Sequence, residues 1–165
     1  MHTLPIDEVL PQIVEAVDRA QPIVLKAPPG AGKTTGVPPA VMDSNRLPSG
    51  QVLLIQPRRL AARSAAARIA SLMGCVVGER VGHHVRFDRK VGPRTELIVM
   101  TTGILLRRLQ TDPLLDDVTC VILDEFHEHE GRATDELRLL PLLGLQRAGQ
   151  QQLRHAHDAV HRRAE

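Results

Sequence analysis

The segment Ala27-Pro28-Pro29-Gly30-Ala31-Gly32-Lys33-Thr34 holds the residue types from which a phosphate cradle is made. Gly30, Ala31, Gly32, Lys33 and Thr34 can turn successive backbone N–H groups toward phosphate oxygens, and the positive end of a following helix adds to that field. Pro28 and Pro29 carry no N–H, so they shape the entry and leave donation to the residues after them. Lys33 would reach the β- and γ-phosphates of ATP or GTP, and the Thr34 hydroxyl would ligate Mg²⁺. The strict pattern begins with Gly where this chain has Ala27, and a Gly/Pro-rich surface turn is the plain alternative.

A second signal stands far along the chain. Val121-Ile122-Leu123 is a short apolar run that ends in Asp124-Glu125. An acidic pair at the carboxyl end of a buried parallel strand shares a sheet edge with a phosphate loop. Asp124 would hold Mg²⁺ through its water shell, and Glu125 would orient and deprotonate an attacking water. A solvated acidic turn is the alternative, and the order of the two motifs argues against it.

These groups need a sheet to position them. The pattern predicts a first helix capped by Asp7, with Val9, Leu10, Ile13, Val14 and Val17 inward. A strand over 23–27 enters the loop, and a helix from about Gly32 to Met42 leaves it, kinked or delayed by Pro38-Pro39. Residues 45–50 read as a loop and 52–55 as a buried strand. A helix over 59–73 is expected with Leu60, Ala66, Ile69 and Met73 inward and Gly74 as its stop. Val81–Phe87 reads as a short edge strand, 96–100 as a central one, 102–109 as a short helix and 119–123 as the strand before Asp124. Continuous apolar strands separated by helices imply an α/β fold with a mostly parallel sheet covered on both faces.

At 165 residues with 42% apolar content, the chain suits one domain with a real core. A formal charge of +2 excludes a grossly polybasic protein while allowing local nucleic-acid contacts. Phe87 and Phe126 are the sole aromatic residues, so no base-stacking platform is available. Cys75 and Cys120 are read as two buried thiols of a reducing compartment. No signal peptide and no long apolar span is visible, so a cytoplasmic location without a membrane partner is expected.

Asp124-Glu125-Phe126-His127 resembles the signature of DEAH-box superfamily 2 RNA helicases, with Phe in the variable third place. Ala27 to Thr35 looks like motif I of that family, and Gln56-Pro57-Arg58-Arg59-Leu60-Ala61-Ala62 is similar to motif Ia. Val81 to Phe87 resembles the segment before motif Ib, and Thr101-Thr102-Gly103-Ile104-Leu105-Leu106-Arg107 looks like motif Ib. The wording is closest to the bacterial HrpB-like branch. The resemblance implies a RecA-like P-loop NTPase lobe of three layers that uses ATP and Mg²⁺. It also implies that Thr35 closes the nucleotide loop, that His127 couples the ATP and RNA sites, and that a second RecA-like lobe, not present in this chain, completes the RNA groove. Arg58 and Arg59 open a helix after a strand end, where guanidiniums and amides can meet a phosphodiester backbone. Thr101, Thr102 and Gly103 stand at a second such junction. An ordinary solvated Arg pair and a hydrogen-bonded helix-start His127 are the alternatives.

After Glu128 the family wording stops. His129-Glu130 stands where Arg-Ser is expected, no Ser-Ala-Thr of motif III follows, and Gln150-Gln151-Gln152 leads into an Arg/His-rich tail. The chain therefore divides into a lobe over 1–128 and a divergent tail over 129–165, read as truncated or frameshifted. Pro141 and Gly144 disfavour a regular helix over Leu137–Leu145 and disfavour a central strand more. In the family the chain resembles, the motif III strand lies between the two strands bearing the site, so the resemblance implies that without it they would lack the neighbour that sets their separation. His155, His157 and His161 have metal-like spacing without a carboxylate framework, so a solvated tail is the preferred reading. The leading function is the ATP-binding lobe of a DEAH-box helicase, unable to unwind RNA by itself. A P-loop small-molecule kinase is one alternative, separated by RNA-stimulated hydrolysis without phosphate transfer to a metabolite; a non-catalytic nucleotide- or RNA-binding fragment is the other, established by retained ATP binding without turnover.

Overall fold

The computed structural model describes residues 4–44, 50–125 and 136–141. In chain order, a 3-10 helix (Pro5–Glu8) leads to α1 (Leu10–Asp18), β1 (Ile23–Lys26), α2 (Lys33–Met42), β2 (Gln51–Gln56) and α3 (Arg59–Leu72). There follow β3 (Val81–Val85), β4 (Asp88–Lys90), β5 (Leu97–Thr101), α4 (Thr102–Thr111), β6 (Val118–Asp124) and β7 (Glu136–Pro141).

The strands form one seven-stranded sheet in the order β1-β7-β6-β2-β5-β3-β4. β2 runs parallel to β5 and β6, and β3 runs parallel to β5. β7 is antiparallel to both β1 and β6, so β1 and β6 point the same way. The carboxyl ends of β1, β2, β3, β5 and β6 therefore share one sheet edge, where the loop and the acidic pair both emerge.

Alternation along the strands sends apolar side chains to two separate cores, as a sheet covered on both faces requires. Val52, Leu54, Val99, Ile122 and Leu139 pack with Ile13, Val17, Val37, Val41 and Ile69 of the helices α1 to α3. Leu53, Ile55, Ile98, Met100 and Val121 pack on the other face with Ile104 and Leu105 of α4. The expected three layers and mostly parallel sheet are present.

Several local expectations need correction. Asp7 lies inside the 3-10 helix, where its carboxylate accepts from the Leu4 N–H at 2.8 Å, and α1 starts later, at Leu10. α2 starts at Lys33 and runs through Pro38 and Pro39 without delay. Leu60 is 75% exposed because the buried stripe of α3 runs through Ala62, Ala66 and Ile69. At 100° per residue, Leu60 stands about 180° from Ile69 around the helix. β3 is not an edge: a turn at Phe87, with φ of +68°, returns the chain into the short β4, which takes the edge instead. Cys120 is buried, but Cys75 is only partly so.

The largest correction concerns β7. The residue pattern disfavours a central strand here above all, yet β7 lies between β1 and β6, with Leu139 fully buried. Pro141 is tolerated because it is the last residue of the ladder, opposite Cys120, where a missing N–H costs least. Gly144 lies outside the described residues. β1 and β6 therefore do not lack a neighbour, and the sheet draws a strand from beyond residue 128.

Candidate functional site

Ile23–Lys26 delivers the chain to the sheet edge, and the loop then turns on two left-handed glycines, Gly30 at φ +78° and Gly32 at φ +93°. Gly32 is the residue before α2, and a Cβ there would stand 2.8 Å from Leu4 Cδ1 and 3.0 Å from Ile6 Cγ2. Conformation and space both demand glycine at that point. The loop is closed on itself. The Ala31 N–H donates to Pro28 O at 3.2 Å, and the Ile6 N–H donates to Ala31 O at 3.2 Å. Lys33 is buried, with its ammonium 2.5 Å from Ala27 O and 3.0 Å from Pro28 O. Those carbonyls hold the cation against the start of the loop. The Thr35 hydroxyl turns back to Gly32 O at 3.5 Å.

Across the sheet, the Thr34 hydroxyl donates to Asp124 Oδ2 at 2.5 Å. The Gln56 side-chain amide donates to the same oxygen at 2.6 Å, and the Glu125 N–H donates to Oδ1 at 3.1 Å. The first turn of α2, the end of β2 and the end of β6 are thus tied at one carboxylate. Burial pushes Asp124 above the usual carboxylate range, while these three donors and the charge of Lys33 pull the other way. Glu125 is exposed and takes the left-handed conformation at φ +53°. A non-glycine residue in that region costs on the order of 1–3 kcal/mol and persists where surrounding structure over-determines it. The adjacent carboxylates therefore differ: Asp124 faces inward and is held by three donors, and Glu125 faces out.

Along the same edge, β2 and β5 are adjacent, with Gln56 opposite Thr101. Each is followed by a helix, so Arg58 and Arg59 at the start of α3 and Thr102 and Gly103 at the start of α4 emerge at the same sheet edge, with the two helices packed on opposite faces. All four are exposed, whereas Thr101 is buried and precedes α4 with an extended backbone. A Cβ on Gly103 would meet nothing within 4 Å, and its φ is not positive, so nothing within the fold demands glycine there.

The helicase-family model described as DEAD/DEAH box helicase matches residues 7–147. The chain belongs to the DEAD/DEAH box helicase family. ATP-dependent RNA helicase HrpB of Escherichia coli strain K12 is 44% identical over 140 residues, which cover 85% of this chain and 17% of that protein. ATP-dependent RNA helicase DEAH13 of Arabidopsis thaliana is 39% identical over 133 residues, covering 76% of this chain and 11% of that protein. The crystal structure of Escherichia coli DEAH/RHA helicase HrpB superimposes with a TM-score of 0.72 at 44% identity, covering 78% of this chain and 16% of that one. The chain thus spans under a fifth of the relatives it matches, and the match falls on a helicase lobe of RecA-like fold.

The helicase lobe brings Thr34 and Asp124 into contact and places Arg58, Arg59, Thr102 and Gly103 at the same edge. His127, Phe126 and the tail histidines lie outside the described residues. Among the described residues, no group of three or more His, Cys, Asp or Glu could hold a metal by itself, and no helix is long and apolar enough to cross a membrane. Gln56 is the functional candidate that residue pattern missed. Its one signal was an amide closing an otherwise apolar strand, Val52-Leu53-Leu54-Ile55, next to the acidic pair's strand.

Proposed function

We propose that this chain is the ATP-binding lobe of an ATP-dependent RNA helicase, working in the complete protein with a second lobe. The observation that carries the reading is the 2.5 Å bond between Thr34 and Asp124, which joins the phosphate loop's helix to the acidic-pair strand. Two hard oxygen donors, a hydroxyl and a carboxylate, suit Mg²⁺ and leave room for the waters this cation retains. Thr34 would ligate it and Asp124 would hold it through its water shell. When bound, Mg²⁺ neutralises the charge on the β- and γ-phosphates.

Gly30, Ala31, Gly32, Lys33, Thr34 and Thr35 form the nucleotide loop in this reading. Phosphate would displace the carbonyls of Ala27 and Pro28 as partners of Lys33 and the carbonyl of Pro28 as partner of the Ala31 N–H. Glu125, exposed beside Asp124, orients and deprotonates the attacking water, and His127 links this site to RNA. Arg58, Arg59, Thr102 and Gly103 grip the RNA backbone, and the bare surface at Gly103 admits its close approach; Thr101 supports that junction from below. Such contacts follow the backbone and read no bases. Residues 1–128 supply the site, and 129–165 form a divergent segment whose β7 completes the sheet.

Equilibrium dialysis of labelled ATP with Mg²⁺ against the chain and against Asp124→Asn tests the ATP half. Tight binding lost or weakened in the variant supports it; equal binding by both would contradict it. Anisotropy of a labelled single-stranded RNA tests the other half. Arg58→Ala/Arg59→Ala should weaken binding and flatten the log–log dependence of affinity on salt, by about 0.7 in slope for each phosphate no longer neutralised.

A further inference from the structure

Gln56 is 2% exposed, and its amide is used on one side only. The nitrogen faces Asp124 Oδ2 at 2.6 Å, an orientation fixed by chemistry, since the reverse would set two acceptor oxygens against each other. Its Oε1, the other end of the same amide, is buried and without a hydrogen-bond partner among the described residues. Buried acceptors are nearly always satisfied in native proteins, and an exception beside a site marks a missing donor.

The missing donor has a definite chemistry. Asp124 accepts on both oxygens from Thr34, Gln56 and the Glu125 N–H. A water held by a cation near Thr34 and Asp124 turns its hydrogens outward, toward whichever acceptors surround the site. Gln56 offers one such acceptor while its other end fixes the carboxylate. A carboxamide does both without adding charge, as no carboxylate or lysine could. We propose that Gln56 is a positioning residue of the nucleotide site: its amide nitrogen aims Asp124, and its amide oxygen accepts a hydrogen from a water of the Mg²⁺ hydration shell. The proposal rests on the assignment of Thr34 and Asp124 to Mg²⁺. Gln56 also precedes Pro57, Arg58 and Arg59 directly, so the same strand end that sets Asp124 sets the start of the basic helix.

The test is the thermal unfolding of the full chain and of Gln56→Leu, followed by circular dichroism. Each is melted alone, with ATP and EDTA, and with ATP under increasing Mg²⁺. Leu keeps the size and removes both polar ends. The ATP shift in EDTA should be unchanged, while the Mg²⁺ concentration giving half of the additional shift should rise about 10- to 100-fold, the usual effect of losing an outer partner of a metal ligand. An unchanged Mg²⁺ midpoint overturns the proposal, as does a melting point lowered equally in all conditions, which would make the residue merely structural. If Gln56→Leu gives no cooperative melt, Gln56→Met is read in the same way, and collapse of both variants also overturns it. A wild-type chain that ATP does not stabilise would instead defeat the nucleotide reading itself.

Discussion

Replacing Leu139 by Ala probes the strand on which the two halves of the site depend. Leu139 is fully buried and belongs to the core that Ile13, Val17 and Val37 share with the sheet. It sits opposite Ile23 of β1 on one side and Ile122 of β6 on the other. Truncating a fully buried leucine costs about 2–5 kcal/mol, from lost transfer energy plus the cavity left behind. Taking about 3 kcal/mol, and 2–4 °C per kcal/mol for a chain of this size, the melting temperature should fall by roughly 6–12 °C. Far-UV circular dichroism is the suitable probe, because the chain has no Trp or Tyr to report by fluorescence. Leu114→Ala is the control: that side chain is 57% exposed, and its loss should change stability by no more than about 0.5 kcal/mol. Because β7 separates β1 from β6, loosening it should also shrink the stabilisation by Mg·ATP. Leu139→Ala melting like Leu114→Ala would refute the placement of 136–141 inside the sheet.

Gly32→Ala should destabilise the chain more than Gly30→Ala. Both positions impose positive φ, worth about 1–2 kcal/mol against a side chain, but only at position 32 would the new methyl meet Leu4 at 2.8 Å and buried Ile6 at 3.0 Å; comparative melts decide it, and equal losses would contradict the packing argument. Burial, with Arg89, Arg107, Arg108 and His83 adding to it, holds His84 below the ordinary imidazole value. As pH falls through about 6.5, the unfolded chain takes up a proton that the folded chain refuses. Stability should therefore drop on acidification, and the drop should be smaller in His84→Gln; parallel pH profiles would refute it. The Arg80 fork on Glu96, at 2.9 and 3.0 Å, holds the Glu96 carboxyl below its usual range. Its stabilisation is present above about pH 4.5 and lost as pH falls further, so Glu96→Gln should narrow the loss of stability between neutral and acid pH.

What was legible in the sequence is what depends on short-range pattern. The strand, glycine turn and helix around Gly30 to Lys33 could be read because an apolar strand, two glycines and a Lys-Thr pair follow one another closely, and β6 because its apolar run ends abruptly in two acids. Leu60 was misplaced because a single leucine outweighed the quieter alanine stripe of α3, where close packing needs small residues. β4 was missed since a three-residue polar strand, Asp88-Arg89-Lys90, has no period to detect. β7 failed for a different reason: Pro141 breaks a strand only where its absent N–H is needed, and where the ladder ends depends on the partner strand. The pairing of Gln56 with Asp124, 68 residues apart, depends on sheet order and no local pattern carries it.

The most direct test of the account is the melting of this chain and of Lys33→Ala, each with and without Mg·ATP. At about a hundred times its dissociation constant, a ligand adds ~2.7 kcal/mol of stability, a rise of roughly 5–10 °C at this size. A rise of that order in the wild-type chain, absent in Lys33→Ala, is the expected result. A wild-type chain indifferent to Mg·ATP, or an equal rise in both proteins, would contradict the assignment of this loop as the nucleotide site.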